Sequence, residues 1–151
     1  MFTKYELRSI ATALRALDRC LSTEERALFD RPEAARAYLR LAFRDAVDVE
    51  KFGVLFLDAQ NRLIAFEILF TGTLTQTSVY PREVVKAALK HGANSVCLAH
   101  NHPSMLAEPS AADKVLTGAL KDALRTVGVG VLDHFIVAGP TVYSFAEHGE
   151  I

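Results

Sequence analysis

Between Pro81 and Ala138 the chain alternates helix, strand, helix and strand signals, and this order constrains its fold more than any other feature. Pro81 suits a first helical position, where its missing N–H is not needed, and the stretch carrying Val84, Val85, Ala88 and Leu89 closes near Gly92. Ser95 to Ala99 reads as a buried strand, Ser110 begins a helix to about Val127, and Val131 to Ala138 is the next strand. Gly139-Pro140 turns the chain into a last strand, Val142 to Phe145. Upstream, Phe52 to Leu57 and Leu63 to Phe70 flank the polar turn Asp58-Ala59-Gln60-Asn61 and predict a hairpin. A hairpin followed by single strands between helices predicts an α/β (α+β) fold, a sheet with helices packed on it.

The first third is helical in pattern. Leu7, Ile10, Leu14 and Leu17 recur at helical spacing within Lys4 to Leu21, and Ser22-Thr23-Glu24-Glu25 looks like a stop and a new cap. Pro32 opens a second helix through Ala35, Tyr38, Leu39 and Phe43 to about Asp45. Residues 1–48 are thus expected to form a helical prefix on a domain at 49–151. Gly72 to Val79 is a Thr-rich, irregular segment.

Composition removes several classes of function. A chain of 151 residues, half of them apolar, is long enough for one real core. Its 17 basic and 18 acidic residues leave no electrostatic footprint for nucleic acid. No apolar run approaches the roughly 20 residues that span a bilayer, and Met1 to Leu7 does not read as a signal peptide. Cys20 and Cys97 are too few for a disulfide framework and too far apart for a Cys-x-x-Cys site, so they are expected to be reduced thiols in a cytoplasmic protein.

Chemistry concentrates in Ala99-His100-Asn101-His102-Pro103-Ser104 and Ser110-Ala111-Ala112-Asp113. Residues two apart on a strand share a face, so His100 and His102 can present two imidazoles to one ion. Asp113, in the first turn of the next helix, completes a set of two nitrogens and one oxygen, donors that zinc accepts in catalytic sites. Ser110 and Asp113 equally fit a helix cap, in which the carboxylate supports orphan N–H groups without any metal. On spacing alone both readings stand.

The order His-x-His, seven residues, Ser, two residues, Asp resembles the signature of the JAMM (JAB/MPN) metalloproteases. Val79-Tyr80-Pro81-Arg82-Glu83-Val84-Val85-Lys86, the His100 block and Leu132-Asp133-His134-Phe135-Ile136-Val137 are similar to the RadC-type JAB family. The ending Ser144 to Gly149 is similar to short RadC-like proteins of mobile elements and prophages. The resemblance covers about residues 48 to 151. It implies a JAB/MPN, cytidine deaminase-like mixed sheet flanked by helices, with zinc (Zn2+) on His100, His102 and Asp113. It further implies a glutamate at the mouth of the first strand as general base, which is Glu50 here, with Glu67 and Glu83 as competitors. Ser110 would help to bind an oxyanion. The implied activity is a zinc metallopeptidase or isopeptidase acting on a protein or peptide.

One departure stands out. The family loop usually reads Pro-Ser-Gly, whereas here Met105 follows Pro103-Ser104. If that glycine needs positive φ, Met105 is strained, or the loop has another shape. Met105 and Leu106 also make the rim more apolar, and such an exposed pair is more often incidental than a surface for a protein partner. The family was historically linked to DNA repair, but residues 1–48 show no Gly-x-Gly hairpin of the kind that contacts DNA, and DNA binding is not carried over. The competing functions are a metal-free JAB scaffold that binds proteins and a repair-associated factor. His134 and Asp133 read as supporting residues, His91 as a cation at a helix end, His148 as solvated, and Arg82 and Lys86 as a surface face.

Overall fold

The computed structural model describes residues 3–22, 29, 31–72 and 78–151. Thr23 to Glu25 of the expected cap, residues 73–77 of the irregular segment and the side chain of Cys20 lie outside the described residues. The elements are α1 (Lys4–Ser22), α2 (Pro32–Ala42), β1 (Lys51–Leu57), β2 (Leu63–Thr71), α3 (Pro81–Lys90), β3 (Ser95–Asn101), α4 (Ala111–Arg125), β4 (Gly130–Ala138) and β5 (Thr141–Ser144). The prolines at the starts of α2 and α3 stand at the first helical position, as the sequence predicts.

The strands form one mixed sheet in the order β2-β1-β3-β4-β5. β1 pairs antiparallel with both β2 and β3, and β5 pairs antiparallel with β4. β3 and β4 run parallel and are joined through α4. That crossover brings the carboxyl end of β3 beside the carboxyl end of β4, a usual location for sites in such sheets.

Side-chain alternation divides the core in two. Phe52, Val54 and Phe56 of β1 and Val96 and Leu98 of β3 pack with Val84, Ala88, Leu120 and Leu124 of α3 and α4. Leu55, Leu57, Cys97, Ala99 and Phe135 face the other way, onto Ala35, Leu39 and Phe43 of α2. On that face Phe66 stacks edge-on to Tyr38 and Phe43, at 5.7 and 5.9 Å between ring centroids. Gly53 makes room for it, since a Cβ there would lie 2.7 Å from Phe66 Cε2. Leu120 and Leu124 are fully buried. Each contributes about 1.5–3 kcal/mol and fixes the helix on which Asp113 rides. Among the described residues no helix is long and apolar enough to cross a membrane.

The main difference from the sequence reading is at the end of β3. The strand continues through His100 and Asn101, because their backbone still pairs with β1 and β4. α2 stops at Ala42 rather than near Asp45, with Phe43 as its cap.

Candidate metal centre

Strand geometry sorts the residues at this end. His100 follows Val96 and Leu98 onto the α4 face and is 1% exposed. Asn101 follows Ala99 onto the α2 face, where its Nδ2 donates to the carbonyls of Ala46 and Val49 at 2.7 and 3.0 Å. Its Oδ1 accepts from Lys51 N–H at 2.7 Å, so Asn101 ties the segment before β1 to β3. Glu50 lies just before β1, whose Phe52 is opposite His100. Glu50 lies near enough for its charge to act on His102.

His102 and Asp113 meet His100 from the loop and from α4. His100 Nε2 is 3.0 Å from His102 Nε2 and 3.3 Å from Asp113 Oδ1, and His102 Nε2 is 3.5 Å from Asp113 Oδ2. Among the described residues this is the group of three whose donor atoms lie close enough together to hold a metal ion.

Hydrogen bonds assign the protons. Carbonyl oxygens only accept, so His102 Nδ1 donates to Leu106 O at 2.7 Å, and in the neutral ring its Nε2 carries the lone pair. Thr117 donates its hydroxyl proton to Asp113 O at 2.6 Å, and its oxygen accepts from His134 Nδ1, also at 2.6 Å. His134 Nε2 then accepts from His100 Nδ1 at 2.9 Å. His100 Nε2 is left with a lone pair facing the same point as His102 Nε2 and the Asp113 carboxylate. With both rings neutral, three acceptors converge with no proton between them, and a cation, either a metal ion or a proton on one Nε2, satisfies them.

Electrostatics follow the same arrangement. Burial alone would raise the pKa of Asp113, but a proton on Nε2 of His100 or His102 bonds to the carboxylate, and this pairing holds the carboxyl well below the usual carboxylate range. The bond to Asp113 raises the pKa of His102 against the effect of burial, and the carbonyl of Leu106 and the charge of Glu50 add to it. Complete burial pushes the pKa of His134 well below its ordinary value and keeps the ring neutral. Asp133 is pushed up by burial, while its carboxylate accepts from Ser144 Oγ, Ala146 N and His134 N.

The cap and the cluster prove compatible. Asp113 Oδ2 accepts from Ser110 N and Oγ, both at 2.7 Å, and Ser110 Oγ accepts from Asp113 N at 3.1 Å, while Oδ1 faces His100. The single proton of Ser110 is thereby directed at Asp113, and a role at an oxyanion requires that hydroxyl to rotate. The competing glutamates are engaged elsewhere. Glu67 accepts from His91 Nε2 at 2.7 Å, and Glu83 pairs with Arg82 at 3.2 Å. His91 is therefore more than a cation at a helix end, since its ring also lies 4.6 Å from that of Phe56. His148 is exposed, as the sequence reading has it, and also stacks on Tyr143 at 4.1 Å and donates to Ser144 O at 2.7 Å. Thr117 carried no signal in the sequence. Its position four residues after Asp113, one helical turn on, was the only clue.

Known proteins resemble this chain closely. A RadC-like JAB domain matches residues 29–150. The UPF0758 protein of Janthinobacterium sp. (strain Marseille) is 62% identical over 120 residues, 80% of this chain and 53% of that protein. A UPF0758 protein of Leptothrix cholodnii is 61% identical over 125 residues, 83% of this chain and 56% of its own. One from Herminiimonas arsenicoxydans is 51% identical over 148 residues, 98% of this chain and 66% of its own. The chain thus spans about half the length of the first two and two thirds of the third, and none of their names states an activity. With a match that runs from just before α2 through the His100 strand, α4 and β5, the chain belongs to the RadC family and carries its RadC-like JAB domain.

Proposed function

We propose that His100, His102 and Asp113 hold one zinc ion and that the chain is a zinc-dependent hydrolase of amide bonds in a protein or peptide. The convergence of two imidazole lone pairs and one carboxylate carries this reading. Two donors about 2.05 Å from a tetrahedral zinc lie roughly 3.3 Å apart, and the separations here are 3.0, 3.3 and 3.5 Å. When bound, a zinc ion with an open position lowers the pKa of its water to about 7 and polarises a carbonyl.

The chain supplies the remaining parts. His134, Thr117 and the Leu106 carbonyl hold both imidazoles with Nε2 toward the site. Asp113 stays ionised and is steered by Ser110. Glu50, whose charge reaches His102, is the general base that takes the proton from the attacking water and returns it to the leaving amine. Positioned acid–base groups of this kind give about 10²–10⁴-fold. Ser110, once its hydroxyl rotates from Asp113, is a donor for the developing oxyanion.

The test is metal content of the untagged protein by mass spectrometry, beside His100→Ala and Asp113→Ala, followed by a peptide and isopeptide hydrolysis screen. About one zinc per chain, lost in both variants, supports the reading. Failure of the wild type to take up zinc after zinc is supplied and chelator removed sinks it.

A further inference from the structure

Beside the candidate metal centre, on the α2 face of the sheet, lies a second concavity. A cavity of about 160 Å³ is lined by Arg40, Arg44, Val47, His102, Met105 and Gly139. His102 borders both places, since its Nε2 is 3.5 Å from Asp113 Oδ2. Pockets that take a whole small ligand measure roughly 300–1,000 Å³, so this one has room for a single side chain.

Two guanidinium groups set its charge. Arg40 is exposed in the last turn of α2. Arg44 Nε pairs with Asp45 at 3.1 Å, but the Asp45 side chain is 74% exposed. Nη1 of Arg44 is buried and has no hydrogen-bond partner. One largely solvated carboxylate beside two permanent cations leaves the lining positive.

The walls are built rather than loose. Asn101 pins the segment from Ala46 to Lys51 with three hydrogen bonds. Met105 adopts φ +65°, a left-handed conformation unusual for a long side chain, and its Sδ and Cε rest over Gly139, where any Cβ would collide with them. Strain of this sort persists where the surroundings enforce it, and it collects at ligand sites. Met105 and Val47 offer apolar contact for methylene groups, and the Arg40 and Arg44 guanidinium groups offer positive charge for a carboxylate.

We propose that this cavity is a subsite for an acidic side chain, glutamate in particular, of the peptide cleaved at the neighbouring centre. The word substrate rests on the hydrolase reading, whereas binding of the acidic residue needs no metal. A peptide lying across the carboxyl ends of β3 and β4 reaches both places through His102.

The experiment titrates the ¹⁵N-labelled full chain with three blocked tripeptides, acetyl-Ala-Glu-Ala-amide and its Gln and Lys counterparts, and follows backbone NMR shifts. The glutamate peptide is expected to bind at least about 5-fold more tightly than the glutamine peptide. The lysine peptide is expected to bind more weakly still, and the shifts to centre on Arg44, Met105 and Gly139. Arg44→Gln should bring glutamate and glutamine within about 2-fold of each other. Equal binding of the three peptides by wild type, or shifts centred elsewhere, overturns the proposal whether or not the variant folds. So does a glutamate preference unchanged in a folded Arg44→Gln. Zinc content is measured on the same sample. Glutamate selection by a chain that takes up no zinc supports the subsite while removing the hydrolase reading, and a zinc-loaded chain that does not discriminate does the reverse.

Discussion

His134 Nε2 lies 2.9 Å from His100 Nδ1, so a fully buried imidazole holds from behind the ring whose Nε2 faces His102 and Asp113. The support closes on itself, because Thr117 links the other nitrogen of His134 to the backbone carbonyl of Asp113. The His100 ring and the helical turn that carries Asp113 are thereby tied together without a metal. Such supports set the tautomer and angle of a metal-binding histidine.

His134→Ala should therefore keep all three donors and still lose zinc affinity, by about 10–100-fold. Thr117→Val should act in the same direction more weakly and also lower stability by about 1–3 kcal/mol, since it leaves a buried N–H of His134 unpaired. Competition against a chromogenic chelator, with urea unfolding alongside, checks both. Unchanged zinc affinity in a folded His134→Ala would show that the relay plays no part in metal binding.

Asp113 should show two separable losses. Asp113→Ala removes a donor to the metal and the carboxylate that accepts from Ser110 N and Oγ. Asp113→Asn keeps an oxygen for the cap. Both variants should lose zinc, but in the presence of chelator Asp113→Ala should be less stable than Asp113→Asn by about 1 kcal/mol. Urea midpoints of the chelated proteins decide it.

The loop after β3 yields a prediction from backbone strain. Met105 stands at φ +65° and is 59% exposed, so replacing it removes little packing. Met105→Gly should raise stability by up to about 1 kcal/mol, the left-handed cost of a residue with a Cβ being about 1–2 kcal/mol. Gly139→Ala should lower stability, both from its own φ of +57° and from collision with Met105. The collision is absent in the double variant, so the two changes should be non-additive by about 0.5 kcal/mol or more in a thermal or urea cycle.

The strand–helix alternation was legible because the central strands are buried on both faces and read as unbroken apolar runs. The triad was legible because His100, His102 and Asp113 lie close in sequence, where alternation and the first helical turn fix direction. His134 is 34 residues from His100 and meets it only through parallel pairing of β3 and β4, a long-range contact that local pattern does not encode. The strain expected at Met105 is present, since the loop keeps the left-handed turn although the residue is not glycine. Nothing in the sequence singles out Arg40 and Arg44, and only the fold puts them in one cavity lining with His102.

Glu50 gives the sharpest test, because its two expected effects have opposite sign. Metal binding needs the neutral imidazole, so protons compete with zinc at His102. The pKa of His102 is raised above its ordinary 6.5, by Asp113 first and by Leu106 and Glu50 after it. Zinc affinity should accordingly fall as pH drops through that raised value, earlier than for an unperturbed histidine. Glu50→Gln removes one of the charges that favour the imidazolium. It should move the midpoint of zinc loss to lower pH while cutting hydrolysis of any substrate found by about 10²–10⁴-fold. Zinc occupancy against pH by mass spectrometry, beside single-substrate rates, separates the outcomes. Weaker zinc binding in Glu50→Gln would make Glu50 a support of the metal, and unchanged hydrolysis with zinc in place would move the general base to another group.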